Sequence, residues 1–177
     1  MACWNVINHT ELSSANATLM DVSGISGDYD HLYVVAKMRS TKNAYKHDAR
    51  FRINNDAGGN YGGSVIFSGG SGDISSYSQS SYGAWQDIQI TAAFTLADTF
   101  STTEIWLPDY SNSTTFKTGL IKSSATGNSS TTYYQGINVT GSHWRDTDAI
   151  TQVSFYVSTD TLDQYSSVTI YGINGAA

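Results

Sequence analysis

Cysteine, positive charge and long apolar runs are all scarce in this chain. Its one cysteine, Cys3, cannot form an internal disulfide, so nothing points to an oxidising compartment. The chain has only nine Lys and Arg residues, scattered along a sequence of formal net charge −6. We expect no nucleic-acid partner, because phosphate binding needs clustered basic residues. No apolar run approaches the ~20 residues of a membrane-spanning helix, so we expect no membrane partner either.

The first residues have neither the basic start nor the long apolar stretch of a signal peptide, and we expect synthesis in a cytoplasm. The length of 177 residues fits one domain, residues 1–177, that is large enough to bury its own core. Only 14% of the residues are charged, so neutral polar groups must cover most of the surface. Such a surface suits tight, rigid assemblies.

Apolar and polar residues alternate with period two throughout, which predicts an all-β chain. The clearest strand is His31–Arg39, and Arg50–Asn54 alternates sharply before a turn at Asn55–Asn60 that predicts a hairpin. About eleven short strands and a single proline indicate an antiparallel β-sandwich, with a jelly roll as the expected topology. The other strand candidates are Trp4–Leu12, Ala17–Val22, Ser64–Phe67, Gln86–Thr91, Thr103–Leu107, Thr115–Ser123, Thr132–Val139, Thr151–Ser158 and Ser167–Ile173.

Two alternating strands near the end of the chain, Ala149–Val157 and Ser167–Ile173, predict a β-hairpin that closes the domain. Within it Phe155 should face the core and Ser154 the opposite side. The Ser- and Gly-rich stretch at about 68–83 is predicted to be a long loop within one domain. Shorter polar loops are expected at 125–130 and 141–148.

Four parts of the chain between about Tyr29 and Ile173 carry distinctive strand and turn signatures. They are Tyr29–Leu32, Phe51–Asp56 with Asn60–Tyr61, Trp144–Arg145 before Ala149–Thr151, and Ile170–Ile173. Together these segments resemble a family of small jelly-roll structural proteins of tailed bacteriophages, which occur as capsid decoration proteins or as domains of head or tail fibres. The resemblance implies a virion protein that is not an enzyme.

No residue pattern predicts catalysis, a cofactor or a metal centre. The four histidines (His9, His31, His47 and His143) have neither nucleophile-elbow nor zinc-ligand spacing, and we expect them to be solvated or hydrogen-bonded residues in loops and at strand edges. The Asp28/Asp30 and Asp146/Asp148 pairs are predicted to form turns. Calcium bound by these carboxylates remains an alternative, although the further acidic ligands of an EF-hand are missing.

Aromatic residues give the candidate binding site. Trp85 and Trp106 are expected in the core or on a sheet face, whereas aromatic rings on neutral polar segments suit a protein interface or stacking on sugar. Trp144, flanked by polar residues and followed by Arg145, is predicted either to anchor its loop or to dock into a neighbouring subunit. The candidate binding residues are Tyr61, Tyr77, Tyr82, Tyr133, Tyr134, Trp144 and Arg145.

The resemblance implies a capsid decoration (cement) protein located in the virion. Its expected partners are the major capsid protein and two further copies of the chain in a homotrimer. One alternative is a receptor- or carbohydrate-binding module of a fibre or spike, in which the tyrosines stack on glycans. Another is a carbohydrate-binding or hydrolytic sandwich of cellular origin. No linker precedes the first predicted strand, which favours the decoration protein over a fibre subunit.

Overall fold

The computed structural model describes residues 4–69, 73–128 and 133–174, without the side chains of 127, 128, 133 and 134. These residues form twelve β-strands and no helix, which confirms the all-β prediction. The strands are β1 (Trp4–Glu11), β2 (Leu19–Ser23), β3 (His31–Met38), β4 (Lys46–Ile53), β5 (Tyr61–Ser68), β6 (Ile74–Tyr82), β7 (Trp85–Thr91), β8 (Ser101–Pro108), β9 (Lys117–Asn128), β10 (Tyr133–Trp144), β11 (Gln152–Tyr156) and β12 (Ser167–Ile173).

The strands build two antiparallel sheets that pack as a sandwich. The larger has the order β1-β12-β3-β8-β9-β10-β5-β6 and the smaller β2-β11-β4-β7. Without β5, β6, β9 and β10, the two orders become β1-β12-β3-β8 and β2-β11-β4-β7, in which β1 to β4 alternate between the sheets. This wiring is that of a jelly roll, so the predicted fold class is confirmed.

Two hairpins inserted into this framework widen the larger sheet. The β5–β6 hairpin lies between β4 and β7 in the sequence, and β9–β10 lies between β8 and β11. Strand β9 pairs with β8, β10 with β9, and β5 with β10, so both hairpins continue the sheet on one side. The insertions double the larger sheet from four strands to eight, and they leave the smaller sheet unchanged.

The core lies between the sheets and follows the alternation seen in the sequence. On β3 the side chains of Leu32, Val34 and Met38 are fully buried, while Tyr33 and Val35 point to the other face. Burial of each such aliphatic side chain contributes about 1.5–3 kcal/mol. Most of the described buried apolar residues of the two sheets form one cluster.

Trp85 shows how closely the two sheets approach each other. Its ring stacks on Phe51 of the same sheet, with centroids 5.6 Å apart, and its Nε1 donates to the carbonyl of His143 in the other sheet at 2.9 Å. A Cβ at Gly119 would lie 2.8 Å from the edge of this indole. Only glycine at that position lets the ring reach the β9 backbone, so Trp85 is a core residue as predicted.

The predicted C-terminal hairpin is wrong. Strand β11 lies in the smaller sheet between β2 and β4, whereas β12 lies in the larger sheet between β1 and β3. The segment that joins them crosses from one sheet to the other. Phe155 does face the core, but Ser154 is only 4% exposed, because it lies between strands β2 and β4 opposite Asp21 and Arg52.

The other loop and hairpin predictions fail for related reasons. Strand β4 does not form a hairpin with the strand after it, because the turn at 54–60 leads into the larger sheet. The supposed loop at 68–83 contains strand β6, which pairs with β5 along Ile74–Tyr82. The segment 141–144 belongs to β10, so the polar loop begins only at Arg145. Residues 125–128 belong to β9, and 129–132 lie outside the described residues.

We predict that Phe155→Ala lowers the free energy of unfolding by about 3–5 kcal/mol, because the substitution leaves a cavity in the core. The Phe155 ring is 1% exposed and lies 4.9 Å from that of Phe51. Phe116, 59% exposed, is the matched control, and Phe116→Ala should change the free energy by less than about 1 kcal/mol. Denaturant unfolding measures both. Equal effects would contradict the observed position of β11.

Candidate functional site

The predicted binding residues lie at two places in the fold. Tyr61, Trp144 and Arg145 meet at the corner where the chain passes from β4 to β5, whereas Tyr77 and Tyr82 lie on β6, an edge strand of the larger sheet. Tyr133 and Tyr134 begin strand β10, and their side chains lie outside the described residues.

Asp56 holds the corner together. Its carboxylate accepts hydrogen bonds from the backbone N–H of Gly58 at 2.7 Å, from Asn60 Nδ2 at 2.9 Å and from Trp144 Nε1 at 2.7 Å. Burial by itself raises the pKa of Asp56, but the hydrogen bonds outweigh it, and the pKa is lower than its ordinary value of 3.8. The carboxylate therefore links the turn to the end of β10.

Tyr61 and Trp144 are both buried at this corner. The Tyr61 hydroxyl donates to the carbonyl of Ile53 at 3.0 Å and accepts from its N–H at 2.9 Å. The two rings stack with centroids 6.3 Å apart, and the exposed fractions of the side chains are 0% and 1%. A ligand cannot reach either ring, so the binding role predicted for them is corrected to a structural one. Of the two roles predicted for Trp144, the observed one is anchoring.

Arg145 fastens the same turn from its exposed side. Its backbone N–H donates to the carbonyl of Asn60 at 2.9 Å, and its guanidinium donates to the carbonyl of Gly59 at 2.6 Å. The side chain is exposed and already engaged with the backbone. It therefore supports the corner from outside, and its binding role stays a prediction.

Tyr77 and Tyr82 are partly exposed, at 39% and 41%. The Tyr77 hydroxyl donates to Asp87 Oδ2 at 2.5 Å, and Gln79 Nε2 donates to the same oxygen. Asp87 lies on β7 of the smaller sheet, so these bonds hold edge strand β6 against the other layer. Burial and the Asp87 carboxylate both raise the pKa of Tyr77. The Tyr82 hydroxyl, in contrast, makes no hydrogen bond to the described residues.

Both aspartate pairs, Asp28/Asp30 and Asp146/Asp148, lie between strands, and the second pair lies near a buried ammonium group. Asp146 Oδ1 accepts the backbone N–H of Asp148 at 3.0 Å. Lys117, 2% exposed, donates to two carbonyls at 2.9 and 3.0 Å; burial lowers its pKa, while the nearby carboxylates of Asp109, Asp146 and Asp148 raise it. Over the described ranges, no three His, Cys, Asp or Glu side chains gather as metal ligands would.

His47 is the buried one of the four histidines, and it is hydrogen-bonded, which is one of the two environments predicted for them. His47 is 4% exposed at the start of β4, and its Nδ1 lies 2.8 Å from the Ser40 hydroxyl. His9, His31 and His143 are exposed or half-buried, as expected for strand residues at a sheet surface.

The larger sheet carries an exposed apolar surface that the sequence-based predictions did not include. We call the solvent side of the eight-stranded sheet the outer face; its aromatic cluster consists of Trp4, His31, Tyr33, Trp106 and Tyr171. Strand register places these side chains opposite the buried positions of β1, β3, β8 and β12. The large apolar side chains exposed on this face are Trp4, Val6, Ile66, Ile74, Leu120 and Ile137.

A signal for this surface was present in the sequence. On β3 both alternating sets contain large apolar residues, namely Leu32 and Val34 on one side and Tyr33 and Val35 on the other. A strand that is apolar on both sides is expected to be covered on both sides. Only one side of β3 is covered by the smaller sheet, so its other side is free to meet another molecule.

No protein-family model matches the sequence, and no match is found among curated proteins. Within the described part of the chain, no helix is long and apolar enough to cross a membrane. The function has therefore to be argued from the surfaces of the molecule.

We predict that Asp56→Asn lowers the free energy of unfolding by about 1–3 kcal/mol at neutral pH, because an amide supplies fewer acceptors to the three donors. Because the folded-state pKa is lower than 3.8, the carboxylate stabilises the fold above that value, and this stability is lost as pH falls through the folded-state pKa.

The asparagine variant should therefore lose less stability on acidification than the unaltered protein. Asp98→Asn is the control, because Asp98 is an exposed turn residue. Urea unfolding at neutral and acidic pH measures all three proteins. An Asp56→Asn variant that behaves like Asp98→Asn would show that the corner does not depend on this carboxylate.

Proposed function

We propose that this chain is a non-enzymatic structural protein of a bacteriophage virion, a decoration protein that binds the assembled head shell. Its partner would be the major capsid protein, and it would bind as a homotrimer. The observation that carries the proposal is the broad apolar outer face of the eight-stranded sheet. The family resemblance of the strand and turn segments and the jelly-roll fold agree with it.

The composition of the outer face supports a protein partner. Interface centres are rich in aromatic residues and poor in charge. The charged side chains here include two ion pairs, Lys37 with Glu11 at 3.8 Å and Lys122 with Glu104 at 3.6 Å. Pairing lowers the cost of covering these charges with another protein, because neither partner is left alone. An exposed apolar surface of this kind is typical of an interaction site.

The size of the face also fits a stable contact. Eight strands spaced about 4.8 Å apart and about eight residues long at 3.3 Å per residue cover about 900 Å². A standard protein interface buries about 800 Å² on each partner. The outer face could therefore provide one side of a standard interface without contributions from loops.

A protein that binds only the assembled shell stabilises it by mass action. The added stability is RT ln(1 + [L]/Kd), and it grows with the affinity for the shell. A homotrimer that contacts several capsid subunits gains avidity, because the second and third contacts are intramolecular. No catalytic step is needed for this function.

A glycan-binding module of a fibre or spike is the second candidate, and the aromatic cluster is the observation that favours it. Stacking on sugar requires ring faces that are turned to solvent. Within the cluster the rings meet at interplanar angles of 51° to 74°, so neighbouring rings partly cover one another. This arrangement suits a protein contact better than a flat sugar platform.

We predict that Leu120→Lys weakens binding to head shells at least about tenfold, because it places an unpaired charge in the centre of the outer face. Leu96→Lys is the matched control: Leu96 is 56% exposed, outside the strands of both sheets, whereas Leu120 is 41% exposed on β9. The measurement is cosedimentation of purified protein with shells of the encoding phage that lack it. Equal binding of the two variants, or no binding of the unaltered protein, would contradict the proposal.

We predict that the purified chain is a trimer at micromolar concentration, because its surface is poor in charge and rich in exposed apolar side chains. Light scattering coupled to size exclusion gives the mass, which should be three times the 19.1 kDa of one chain. A mass of one chain over the whole concentration range would contradict the trimer, although it would leave binding to the shell open to the cosedimentation test.

A further inference from the structure

A polar cleft lies on the smaller sheet, on the side of the sandwich away from the outer face. It has a cavity volume of about 270 Å³ and is bounded by β4, β7 and the segment after β11. Every residue that lines it has a polar side chain, which is unusual because most ligand pockets are largely apolar. Its lining includes two carboxylates, Asp48 and Asp87, together with Lys42, His47, Arg50 and Thr159.

Two cations in the cleft have no counter-charge bound to them. Neither Lys42 Nζ nor the Arg50 guanidinium makes a hydrogen bond or ion pair with the described residues; Arg50 lies 5.9 Å from the Tyr156 ring centre. Of the two carboxylates that line the cleft, Asp48 pairs with Lys46 at 3.3 Å, whereas Asp87 accepts hydrogen bonds from neutral groups of β6 and keeps its charge, so one positive charge of the cleft is left without a negative counterpart. The two positive groups are therefore available to an anion.

His47 adds a neutral donor to the same cleft. The Ser40 hydroxyl accepts the backbone N–H of Lys42 at 3.1 Å and lies 2.8 Å from His47 Nδ1, so its proton can point to that nitrogen. Nε2 then carries the imidazole proton, 3.4 Å from the Thr159 hydroxyl. Burial and then Lys42 lower the pKa of His47; Arg50 acts in the same direction, and Asp160 and Asp48 oppose them.

We propose that the polar cleft binds one acidic sugar residue, a ring that carries a carboxylate. Arg50 and Lys42 hold the carboxylate, because a guanidinium can bind it through two parallel hydrogen bonds and an ammonium adds a point charge. The Thr159 and Ser158 hydroxyls and the Gln86 amide line the same cavity and bind ring hydroxyls. The cavity volume suits a single ring, because pockets for larger ligands start at about 300 Å³.

The test is titration calorimetry with sodium glucuronate, with glucose and sodium sulfate as probes of the ring and of the anion alone, all at constant ionic strength. We expect affinity in roughly the millimolar range for glucuronate. Glucose and sulfate should each bind at least about tenfold more weakly, since each lacks half of the contacts. Nuclear magnetic resonance of His47 gives a second readout, because a bound carboxylate raises the pKa of the adjacent imidazole.

Arg50→Gln and Lys42→Gln should each weaken glucuronate binding about tenfold to a hundredfold, because each substitution removes a charge-assisted hydrogen bond to the carboxylate. Lys122→Gln is the control, because it removes the same charge from the other sheet, and it should bind as the unaltered protein does. Circular dichroism checks that each variant folds. Lys42 lies outside the strands, so its substitution is less disruptive to the fold than that of Arg50 in β4. Absence of glucuronate binding, equal binding of sulfate, or equal affinity of all three variants would overturn the proposal.

Discussion

Crossing between the sheets is the constraint on which the rest of this structure depends. In a jelly roll each core strand pairs with strands that are distant in sequence, as β1 does with β12 and β2 with β11. The connections between the sheets must therefore hold their shape without a hairpin ladder, and buried backbone groups at the crossings need other partners. At the β4–β5 corner the Tyr61 hydroxyl serves both backbone groups of buried Ile53, and Asp56 holds the exposed turn through the N–H of Gly58. Trp144 is also held at this corner, because its indole N–H donates a hydrogen bond to Asp56 in the turn.

Local alternation predicted which side chains face the core, and it did so well. It could not predict which strand pairs with which, because a strand shows the same alternation whether its neighbour lies beside it or across the sandwich. The supposed hairpins after Ile53 and after Val157 are both such crossings. Strand β6 was missed for another reason. Its run of serines forms an edge that is exposed on nearly every residue, and so it lacks the apolar alternation of a covered strand.

The same limit applies to the candidate site. Tyr61 and Trp144 lie among Gly, Asn and Asp residues, which indicated exposed loops, but distant segments bury them both. The polar cleft could not be predicted either, because Lys42, Arg50 and Thr159 come from segments that only the tertiary fold brings together. The outer face, in contrast, could have been predicted. Both sides of β3 carry large apolar side chains, so each side is expected to be covered. The smaller sheet covers only one of them.

The outer face and the polar cleft lie on opposite sheets of the sandwich. A partner seated on the outer face would leave Arg50 and Lys42 in contact with solvent, because the whole sandwich, with a core about 10 Å thick, lies between them. Substitutions at such separated sites act additively unless a two-state element connects them. Every residue proposed for the cleft comes from β4, β7, the connection before β4 or the segment after β11, and none belongs to a strand of the larger sheet. A shell-bound protein would therefore present its cleft outward, and binding in the cleft would leave the affinity for the shell unchanged.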